Sequence, residues 1–210
     1  MPSFATHRTL THVKKKSSLH SIGAHINSRG FTLVELLVTC SILIILVGYG
    51  IPALNQFIQS CSTRTSINIL HNAIVTARTQ AVVHKTTVTL CPSADGISCQ
   101  TEWHQHIIVF SDPNKNKQLD GEEILYQILD INRKIKISSR LSAGRSYLRF
   151  KPDGIISGTA GTLTVCPTNN NNRHARQLIV SFTGRTQHAA DIDGDGIIET
   201  RKGKDIQCSG

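Results

Sequence analysis

One ionisable side chain lies in a segment where charge is unfavourable. Glu35 stands near the start of an otherwise apolar run from Phe31 to Ile51. An ionised carboxylate in apolar surroundings requires a cationic partner, and such groups in membrane segments usually serve a function. We therefore predict that Glu35 serves a function and pairs with a positive group. The alternative is a glutamate whose side chain only reaches back to the membrane surface.

A second group of carboxylates lies near the C-terminus, in the stretch DIDGDGIIE. Ca²⁺ takes several oxygen ligands from a tight loop in which alternate side chains point inward. Gly196 stands at the expected sharp turn, but Lys202 occupies the last expected ligand position. The alternative is a polar turn in which aspartates accept backbone hydrogen bonds. The predicted calcium ligands, with no other cofactor expected, are Asp191, Asp193, Asp195 and Glu199.

The stretch DPNKNKQLDGEE is a weaker match to the same kind of loop. Lys117 stands where such a loop requires glycine. The oxygen-bearing side chains on offer are Asp112, Asn114, Asn116, Asp120 and Glu123.

Five of the six cysteines follow the apolar run. Disulfides form in oxidising compartments outside the cytoplasm. The short turn CPSADGISC would bring its ends together, which predicts a Cys91–Cys99 disulfide, and a Cys166–Cys208 disulfide would then hold the tail. Cys61 is left over, and we expect it to pack as a small apolar residue on a helix. Spacing alone leaves the connectivity open, although the C-x-x-C pairs typical of zinc sites are lacking.

The length of 210 residues suits one modest domain with an accessory segment. The chain has 23 Lys and Arg against 14 Asp and Glu, but five of the basic residues precede Phe31, where no acidic residue occurs. Basic residues beside an apolar span are retained on the cytoplasmic side of a membrane. Much of the positive charge is therefore a topology signal, and it does not by itself predict nucleic-acid binding.

The apolar run can span a bilayer. At about 1.5 Å per residue, its helix would cover roughly the 30 Å of the hydrocarbon core. Arg29 and an earlier KKK precede it, and no Lys or Arg follows until Arg64, so the N-terminus is expected in the cytoplasm. The alternative is a removable signal peptide cut near GYG, but such peptides have a shorter apolar region. Glu35 and Pro52 also argue against it.

The stretch RGFTLVELL, followed by the apolar run and Pro52, resembles the class III leader of type IV pilins and type II secretion pseudopilins. In that family a small residue precedes the cut, and the mature chain has Phe first and Glu fifth. The resemblance implies that a prepilin peptidase cleaves between Gly30 and Phe31 and that Phe31 is then N-methylated. The new amine on Phe31 would pair with Glu35 of a neighbouring subunit when subunits leave the bilayer for a filament.

Beyond Pro52 the apolar residues recur at three-and-four spacing to about His84, which predicts one long helix, and Pro52 should kink or loosen it. After Lys85 the pattern changes to short strands separated by Gly, Pro, Asn and Asp clusters. With no helix long enough for a crossover, we expect an α+β, type IV pilin-like fold in which an antiparallel sheet packs on the helix. The predicted strands are TTVTLC, HIIVFSD, EEILYQIL, KIKISS, SYLRFK, TLTVCP and QLIVSFTGR.

The blocks WHQHIIVFSD, GEEIL, LRFKPDGI, GTLTVCP and LIVSFTGR resemble, in this order, minor pseudopilin H of type II secretion and the FimT-type minor pilins. The resemblance implies a structural subunit of the pseudopilus, involved in filament initiation or capping and in protein secretion. It also implies an inner-membrane anchor and a periplasmic domain. The implied partners are prepilin peptidase, other pilins or pseudopilins, the inner-membrane assembly platform and membrane lipid.

The expected organisation has four segments: a cleaved cytoplasmic leader (1–30), a transmembrane and filament-core helix (31–52), an amphipathic continuation (53–85) and a periplasmic sheet domain (86–210). We do not expect an enzyme, because the sequence has no P-loop, serine elbow or H-E-x-x-H motif.

The alternative function is that of a FimT-type minor type IV pilin in pilus biogenesis or DNA uptake. Pilins of that type that take up DNA carry a Gly-Arg-x-Arg element, in which two guanidiniums can bind phosphates. Here Gly184 and Arg185 match, but Gln187 replaces the second arginine. DNA binding is therefore disfavoured, and the nearby aspartates would repel phosphate.

Overall fold

The computed structural model describes residues 30–103 and 106–208. The predicted leader lies outside the described residues except for Gly30, so its cleavage stays a prediction. Within the described part, one α-helix precedes eight strands and two 3-10 turns, Ser142–Gly144 and Asn172–His174. The elements are α1 (Leu33–Val83), β1 (Val88–Ser93), β2 (His106–Ser111), β3 (Leu125–Leu129), β4 (Ile135–Leu141), β5 (Leu148–Phe150), β6 (Gly161–Pro167), β7 (Arg176–Val180) and β8 (Thr186–His188).

The described chain divides into two compact units, the first ending at Ile45 and the second beginning at Leu46. In the first unit α1 begins after Thr32, whose hydroxyl accepts a hydrogen bond from the Glu35 amide at 3.2 Å. Threonine followed three residues later by glutamate has the sequence of a capping box, which satisfies amides that a helix start leaves unpaired. The large apolar side chains of this unit are exposed. A helix that is apolar on all sides is suited to lipid or to a bundle of other helices.

The helix α1 is continuous over 51 residues and contains Pro52. It ends at Val83, one residue before the predicted end near His84. A proline inside a helix removes one backbone hydrogen bond and crowds the preceding turn. The predicted single helix is thereby confirmed, and the kink at Pro52 stays a prediction.

The second half of α1 packs one face against the strands. Burying a Leu or Ile side chain stabilises the fold by about 1.5–3 kcal/mol, so this face contributes strongly to holding the helix in place. The three-and-four spacing that predicted the amphipathic continuation is the spacing of its buried positions. They include Ile67, Leu70, Ala73, Ile74, Ala77 and Ala81.

The predicted α+β fold, a long helix packed on an antiparallel β-sheet domain, is confirmed, and its strands form two four-stranded sheets where one was expected. One sheet has the order β3-β2-β1-β5, and the other has the order β4-β6-β7-β8. The two sheets are not consecutive in the chain: β5 returns to the first sheet, whereas β4 before it pairs with β6, from Ile135↔Pro167 to Leu141↔Gly161. Alternating apolar residues show which face of a strand is buried, but not which strand lies beside it.

All seven predicted strands are present, and β8 is an addition that sequence reasoning missed. It pairs with β7 from Leu178↔His188 to Val180↔Thr186. Its three residues are polar and none is buried, so they lack the alternation by which strands are recognised. This strand forms one edge of the second sheet.

Both sheets and α1 contribute to one hydrophobic cluster. Trp103 and Phe150 are the largest side chains in it, and both are almost completely buried. Because strands from both sheets meet in this cluster, residues 46–210 form one compact unit rather than two.

Two disulfides connect the predicted pairs. Cys91–Cys99 closes a turn in which Asp95 accepts hydrogen bonds from the Ser98 and Ile97 amides, each at 2.8 Å. These bonds, with one from the Ser93 hydroxyl, hold the pKa of Asp95 well below its ordinary value.

The second disulfide, Cys166–Cys208, joins residues 42 apart and secures the C-terminal segment. It lies in a small apolar cluster with Ala175, Ile198 and Ile206. The expectation for Cys61 was wrong, because its side chain is exposed on α1 rather than packed in the core. The first buried residues of the helix after Cys61 are the polar Thr63 and Ser66. The buried apolar face begins with Ile67, one turn after Thr63.

Candidate functional site

The Glu35 carboxylate has no partner among residues 30–103 and 106–208. Its own amide is bonded to Thr32, and the Leu36 amide donates to the Thr32 carbonyl at 3.1 Å. Two amides of the first turn are therefore bonded to Thr32 without the Glu35 carboxylate, which is exposed. This arrangement leaves a carboxylate, four residues after Phe31, available to a cation of another molecule.

The helix around Glu35 is long and apolar enough to cross a membrane, and it is the one described helix of which this is true. None of its most apolar stretch is buried within the chain. An apolar surface of this size requires cover, and lipid or the apolar helices of other subunits would supply it. The chain therefore has an N-terminal segment suited to membrane anchoring, followed by a C-terminal folded domain.

Two family models match the chain. The prokaryotic N-terminal methylation motif matches residues 26–50, and the type II transport protein GspH matches residues 66–184, more than half of the chain. The chain belongs to the GspH family. The GspH match begins in the second half of α1 and ends just before Arg185, so it covers every described strand except β8. No curated protein sequence matches the chain significantly.

Solved structures similar to this GspH-family chain are minor pilins and a minor pseudopilin. The type IV minor pilin FimU of Pseudomonas aeruginosa shares 17% identity, with 64% of this chain and 92% of that chain covered and a TM-score of 0.51. A second crystal form of FimU shares 16% identity, with 60% of this chain and 92% of that chain covered and a TM-score of 0.48. The minor pseudopilin EpsH from the Type 2 Secretion System of Vibrio cholerae shares 10% identity, with 61% of this chain and 97% of that chain covered and a TM-score of 0.46. At these identities the likeness to FimU supports the pilin-like fold alone.

The predicted nucleic-acid residue Arg185 lies in a groove between α1 and β8. We call this the basic groove; it has a volume of about 540 Å³, and its lining includes Val75, Arg78, Val82, Val83, Arg185 and Gln187. No carboxylate among the described residues forms an ion pair with the guanidinium of Arg78 or of Arg185. Arg78 was missed by sequence reasoning because no motif marks it.

Glycine is required at one of the two turns beside which the Arg78 side chain lies. Gly184 has φ +74°, and a Cβ on it would lie 2.6 Å from the Gly154 carbonyl oxygen. The side chain of Arg78 lies against both glycines, 3.5 Å from the Cβ position of Gly184 and 3.2 Å from that of Gly154. The glycine of the Gly-Arg element is therefore explained by local packing and backbone conformation.

Three of the four predicted calcium residues lie in an exposed loop after β8. We call residues 191–196 the acidic loop. Ligand oxygens of its three aspartates lie within 4.8 Å of one another. The aspartates also accept backbone hydrogen bonds: Asp191 from Gly194 and Gly196 at 2.7 and 2.9 Å, and Asp195 from Ile197 at 2.7 Å. The donor set fits Ca²⁺, although the polar-turn alternative explains the same geometry.

Glu199 does not join the three aspartates. It is buried, and its carboxylate accepts the amides of Ile192 and Asp193 at 2.8 and 3.3 Å. It therefore positions the acidic loop from behind, which is a different role from the predicted calcium ligand.

Calcium binding at the acidic loop stays a prediction. We expect the detergent-solubilised full-length chain to bind Ca²⁺ with a dissociation constant of about 10⁻⁴–10⁻³ M, the range of extracellular calcium modules. Asp193→Asn should weaken binding roughly tenfold or more, because it removes one ligand charge. Isothermal titration calorimetry measures this, with Glu122→Gln as a control at another exposed carboxylate. Absence of saturable heat at millimolar Ca²⁺ would contradict the calcium prediction.

The second calcium candidate is organised in another way. Asp112 is fully buried; its Oδ2 pairs with Arg149 at 2.9 Å, and its Oδ1 accepts the Lys117 amide at 3.5 Å. Asp120 instead accepts the side-chain amides of Asn114 and Asn116 at 3.4 and 2.6 Å. The loop is therefore closed by its own side chains and by Arg149.

Two histidines join α1 to β8. The ring centroids of His71 and His188 are 5.2 Å apart, and the Thr186 hydroxyl lies 3.0 Å from His71 Nδ1. Burial lowers the pKa of His188, and the nearby His71 lowers it further. Protonating His188 is therefore less favourable in the folded chain than in the unfolded chain.

We expect acidification to destabilise the domain partly through His188. The pKa of His188 in the folded chain lies below the unfolded value of about 6.5. The contribution of neutral His188 to the free energy of unfolding is therefore complete above pH 6.5 and is lost as the pH falls through the folded pKa. The Tm of His188→Gln should therefore decrease less between pH 7.5 and 5.5 than that of the wild type. Thermal unfolding of the full-length chain measures this. His174, whose pKa is also lowered by burial, is present in the wild type and in the variant, so it does not produce a difference between them. An equal decrease in the two Tm values would therefore show that His188 does not contribute.

Proposed function

We propose that the chain is a minor pseudopilin, a structural subunit of the type II secretion pseudopilus that acts in filament initiation or capping and in protein secretion. The observation that carries this proposal is the carboxylate of Glu35, which has no partner in the described part of the chain and lies in the first turn of an exposed apolar helix. The same helix continues into a folded domain with the pilin-like arrangement. The proposed role of the chain is structural. The chain is a substrate of the processing peptidase and is not itself an enzyme.

The proposed topology is a single pass through the inner membrane, with the N-terminus in the cytoplasm and the C-terminal domain in the periplasm. Basic residues before the apolar segment support it, since no Lys or Arg occurs between Arg29 and Arg64. The two disulfides also support it, because such bonds persist in the periplasm and are rare in the cytosol.

Processing would create the cation that Glu35 lacks. Cleavage by prepilin peptidase between Gly30 and Phe31 leaves an α-amine, which remains basic after N-methylation. In the membrane both groups lie near the interface; in a filament the amine of one subunit would face Glu35 of another. A charge in apolar surroundings is stabilised by such a partner, so the pair would select the correct axial position. The further partners are other pilins or pseudopilins, the inner-membrane assembly platform and lipid.

The assembly role is tested with Glu35→Ala. Leaving one partner of a buried ion pair alone is unfavourable by about 3–5 kcal/mol, so we expect the filament-associated fraction to fall at least tenfold while the leader is still removed. Immunoblotting of sheared filament and membrane fractions measures this. Glu122→Ala, which removes an exposed carboxylate of the domain, should leave the fraction unchanged. Normal incorporation of Glu35→Ala would contradict the pairing.

Cleavage is tested separately with Gly30→Leu. A bulky side chain before the cut should prevent processing, and the chain should then keep its lysine-rich front end. Electrophoretic mobility and N-terminal sequencing of membrane-extracted protein distinguish the two forms. If wild-type protein begins at a residue other than Phe31, the proposed processing site is wrong.

The second candidate is a minor type IV pilin that acts in pilus biogenesis or DNA uptake. One observation favours it: Arg78 of α1 lies in the basic groove with Arg185 and could supply the guanidinium that Gln187 does not. The three valines of the groove are an argument against a phosphate ligand. A gel shift of the full-length chain at low and high salt tests it. Salt-sensitive DNA binding that disappears in Arg185→Ala would favour this candidate over the pseudopilin.

A further inference from the structure

We propose that Arg64 of α1 and Arg176 of β7 form a site for the phosphate of an anionic lipid in the periplasmic leaflet of the inner membrane. We call these two residues the arginine pair. The proposal rests on the topology given under the proposed function, because it describes the subunit in the membrane before assembly. It is independent of the pairing between Glu35 and Phe31.

The arginine pair holds two like charges close together. Arg64 is exposed on α1, and it lies near enough to the half-buried Arg176 for the two charges to interact. Burial lowers the pKa of Arg176, and the charge of Arg64 lowers it further. Two guanidiniums repel each other, and an anion placed beside both would turn this repulsion into attraction.

The described part of the chain does not supply that anion. Neither member of the arginine pair forms an ion pair with any of residues 30–103 and 106–208. Arg176 donates to the backbone carbonyls of Arg173 and Ala175 at 3.3 and 2.6 Å, and these neutral acceptors leave its charge in place. The strands β4, β6, β7 and β8 contain no Asp or Glu. We therefore expect the anion to come from another molecule.

A further hydrogen-bond donor lies near Arg176. Burial and the charge of Arg176 both lower the pKa of His174, which belongs to the 3-10 turn before β7. The Nε2 atom of His174 is buried and has no hydrogen-bond partner among the described residues. Arginine and phosphate form strong, often bidentate hydrogen bonds, so a phosphate with several acceptor oxygens suits this group of donors.

The position of Arg64 along the chain matches the depth of lipid headgroups. Residues 36–63, between Glu35 and Arg64, carry no charged side chain. At 1.5 Å per residue, a helix of that length is about 42 Å long. A bilayer with its headgroup regions is about 40–45 Å thick. Arg64, the first charge after the apolar run, is therefore expected at the level of the periplasmic phosphates.

The surroundings of the arginine pair also suit a membrane surface. Phe57 and Ile58, two turns before Arg64, are 65% and 45% exposed on α1. Asn169, in the loop that leads to β7, donates to the Gln59 side chain at 2.9 Å, so this loop lies beside the same part of the helix. Apolar side chains beside long cationic ones are typical of an interface, where the cations reach the phosphates.

Thermal unfolding of the full-length chain in detergent, with added short-chain lipid, tests the proposal. Dioctanoyl phosphatidylglycerol at about ten times its Kd should raise the Tm by about 3–6 °C. Dioctanoyl phosphatidylcholine, which is zwitterionic, should raise the Tm much less. Inorganic phosphate is the third arm, and it should not reproduce the shift, because a site at the interface takes the headgroup together with its acyl chains.

Variants assign the effect to the arginine pair. Arg64→Gln, at an exposed side chain that makes no hydrogen bond among the described residues, should raise the Kd for phosphatidylglycerol about tenfold or more. Adding Arg176→Gln should abolish the shift. Arg78→Gln with Arg185→Gln is the matched control: it removes two charges about 21 Å farther along the helix and should leave the Kd unchanged. Each variant is compared with its own Tm without lipid.

The remaining outcomes overturn the proposal. A Kd that neither Arg64→Gln nor the double variant changes overturns the site. An equal shift with phosphatidylcholine or with inorganic phosphate overturns the choice of an anionic lipid. If Arg64→Gln leaves the Kd unchanged but lowers the filament-associated fraction, another subunit supplies the anion.

Failure of this proposal is distinguishable from failure of the proposed function. Filaments that contain the chain, together with no effect of phosphatidylglycerol on the Tm, overturn the lipid site alone. The expected lipid effect in a chain that never enters sheared filaments supports the site and counts against the filament function.

Discussion

Arg149→Met is expected to lower the free energy of unfolding by about 3–5 kcal/mol, because it leaves the charge of Asp112 buried without its partner. The Asp112 side chain is 0% exposed and that of Arg149 is 11% exposed. The carboxylate accepts hydrogen bonds from the Arg149 guanidinium at 2.9 Å and from the Thr89 hydroxyl at 2.6 Å. Arg149 also donates to the Lys115 carbonyl at 3.0 Å, so its loss frees the loop that begins at Asp112.

Chemical unfolding of the full-length chain in detergent, followed by near-ultraviolet circular dichroism, measures this loss. Lys151→Met is the matched control, because its ion pair with Asp153 is 3.7 Å long and about half exposed, and such pairs contribute about 0–1 kcal/mol. Adding Asp112→Asn to Arg149→Met should recover part of the stability, since the buried charge is then gone. A loss below about 1 kcal/mol for Arg149→Met would show that Asp112 does not need this partner.

The double variant Cys166→Ser with Cys208→Ser is expected to lower the free energy of unfolding by about 4 kcal/mol. A disulfide restricts the unfolded chain, and the restriction grows with the length of the closed loop; the separation here is 42 residues. Losing the sulfur link should also loosen the small cluster formed with Ala175, Ile198 and Ile206.

The same unfolding measurement applies, with Cys61→Ser as the control at an exposed free thiol. The double variant should also expose its C-terminal segment to limited proteolysis before the rest of the domain. If stability falls by less than about 1 kcal/mol, the tail is held by its packing alone, and the disulfide is not the principal restraint.

Features with a strong local signal were predictable from the sequence. The apolar face of α1, the seven strands and the Cys91–Cys99 turn follow from periodicity, turn residues and cysteine spacing. Spacing alone left the Cys166–Cys208 pair open, although it was the predicted one. The arrangement of the strands did not follow. For example, β1 pairs with β5, which is about 60 residues away, and nothing in the alternation of either strand names its partner. The expectation of a single sheet failed for this reason.

The candidate sites show the same limit. Glu35 is conspicuous because of its apolar neighbours, and the acidic loop because of its repeating aspartates. Arg78 and Arg185 are more than 100 residues apart, and only the packing of α1 against β8 brings them into one groove. Glu199 matched the spacing of a ligand, but burial directed its carboxylate to two amides instead.

The Cys166–Cys208 bond has a consequence for the order of events in the cell. In the proposed topology the domain is translated on the reducing side, where this bond does not form. The newly made chain is then several kcal/mol less stable than the exported one, and it remains easier to keep open for passage through a translocation channel. Formation of the disulfide after export would stabilise the folded domain and so oppose its unfolding.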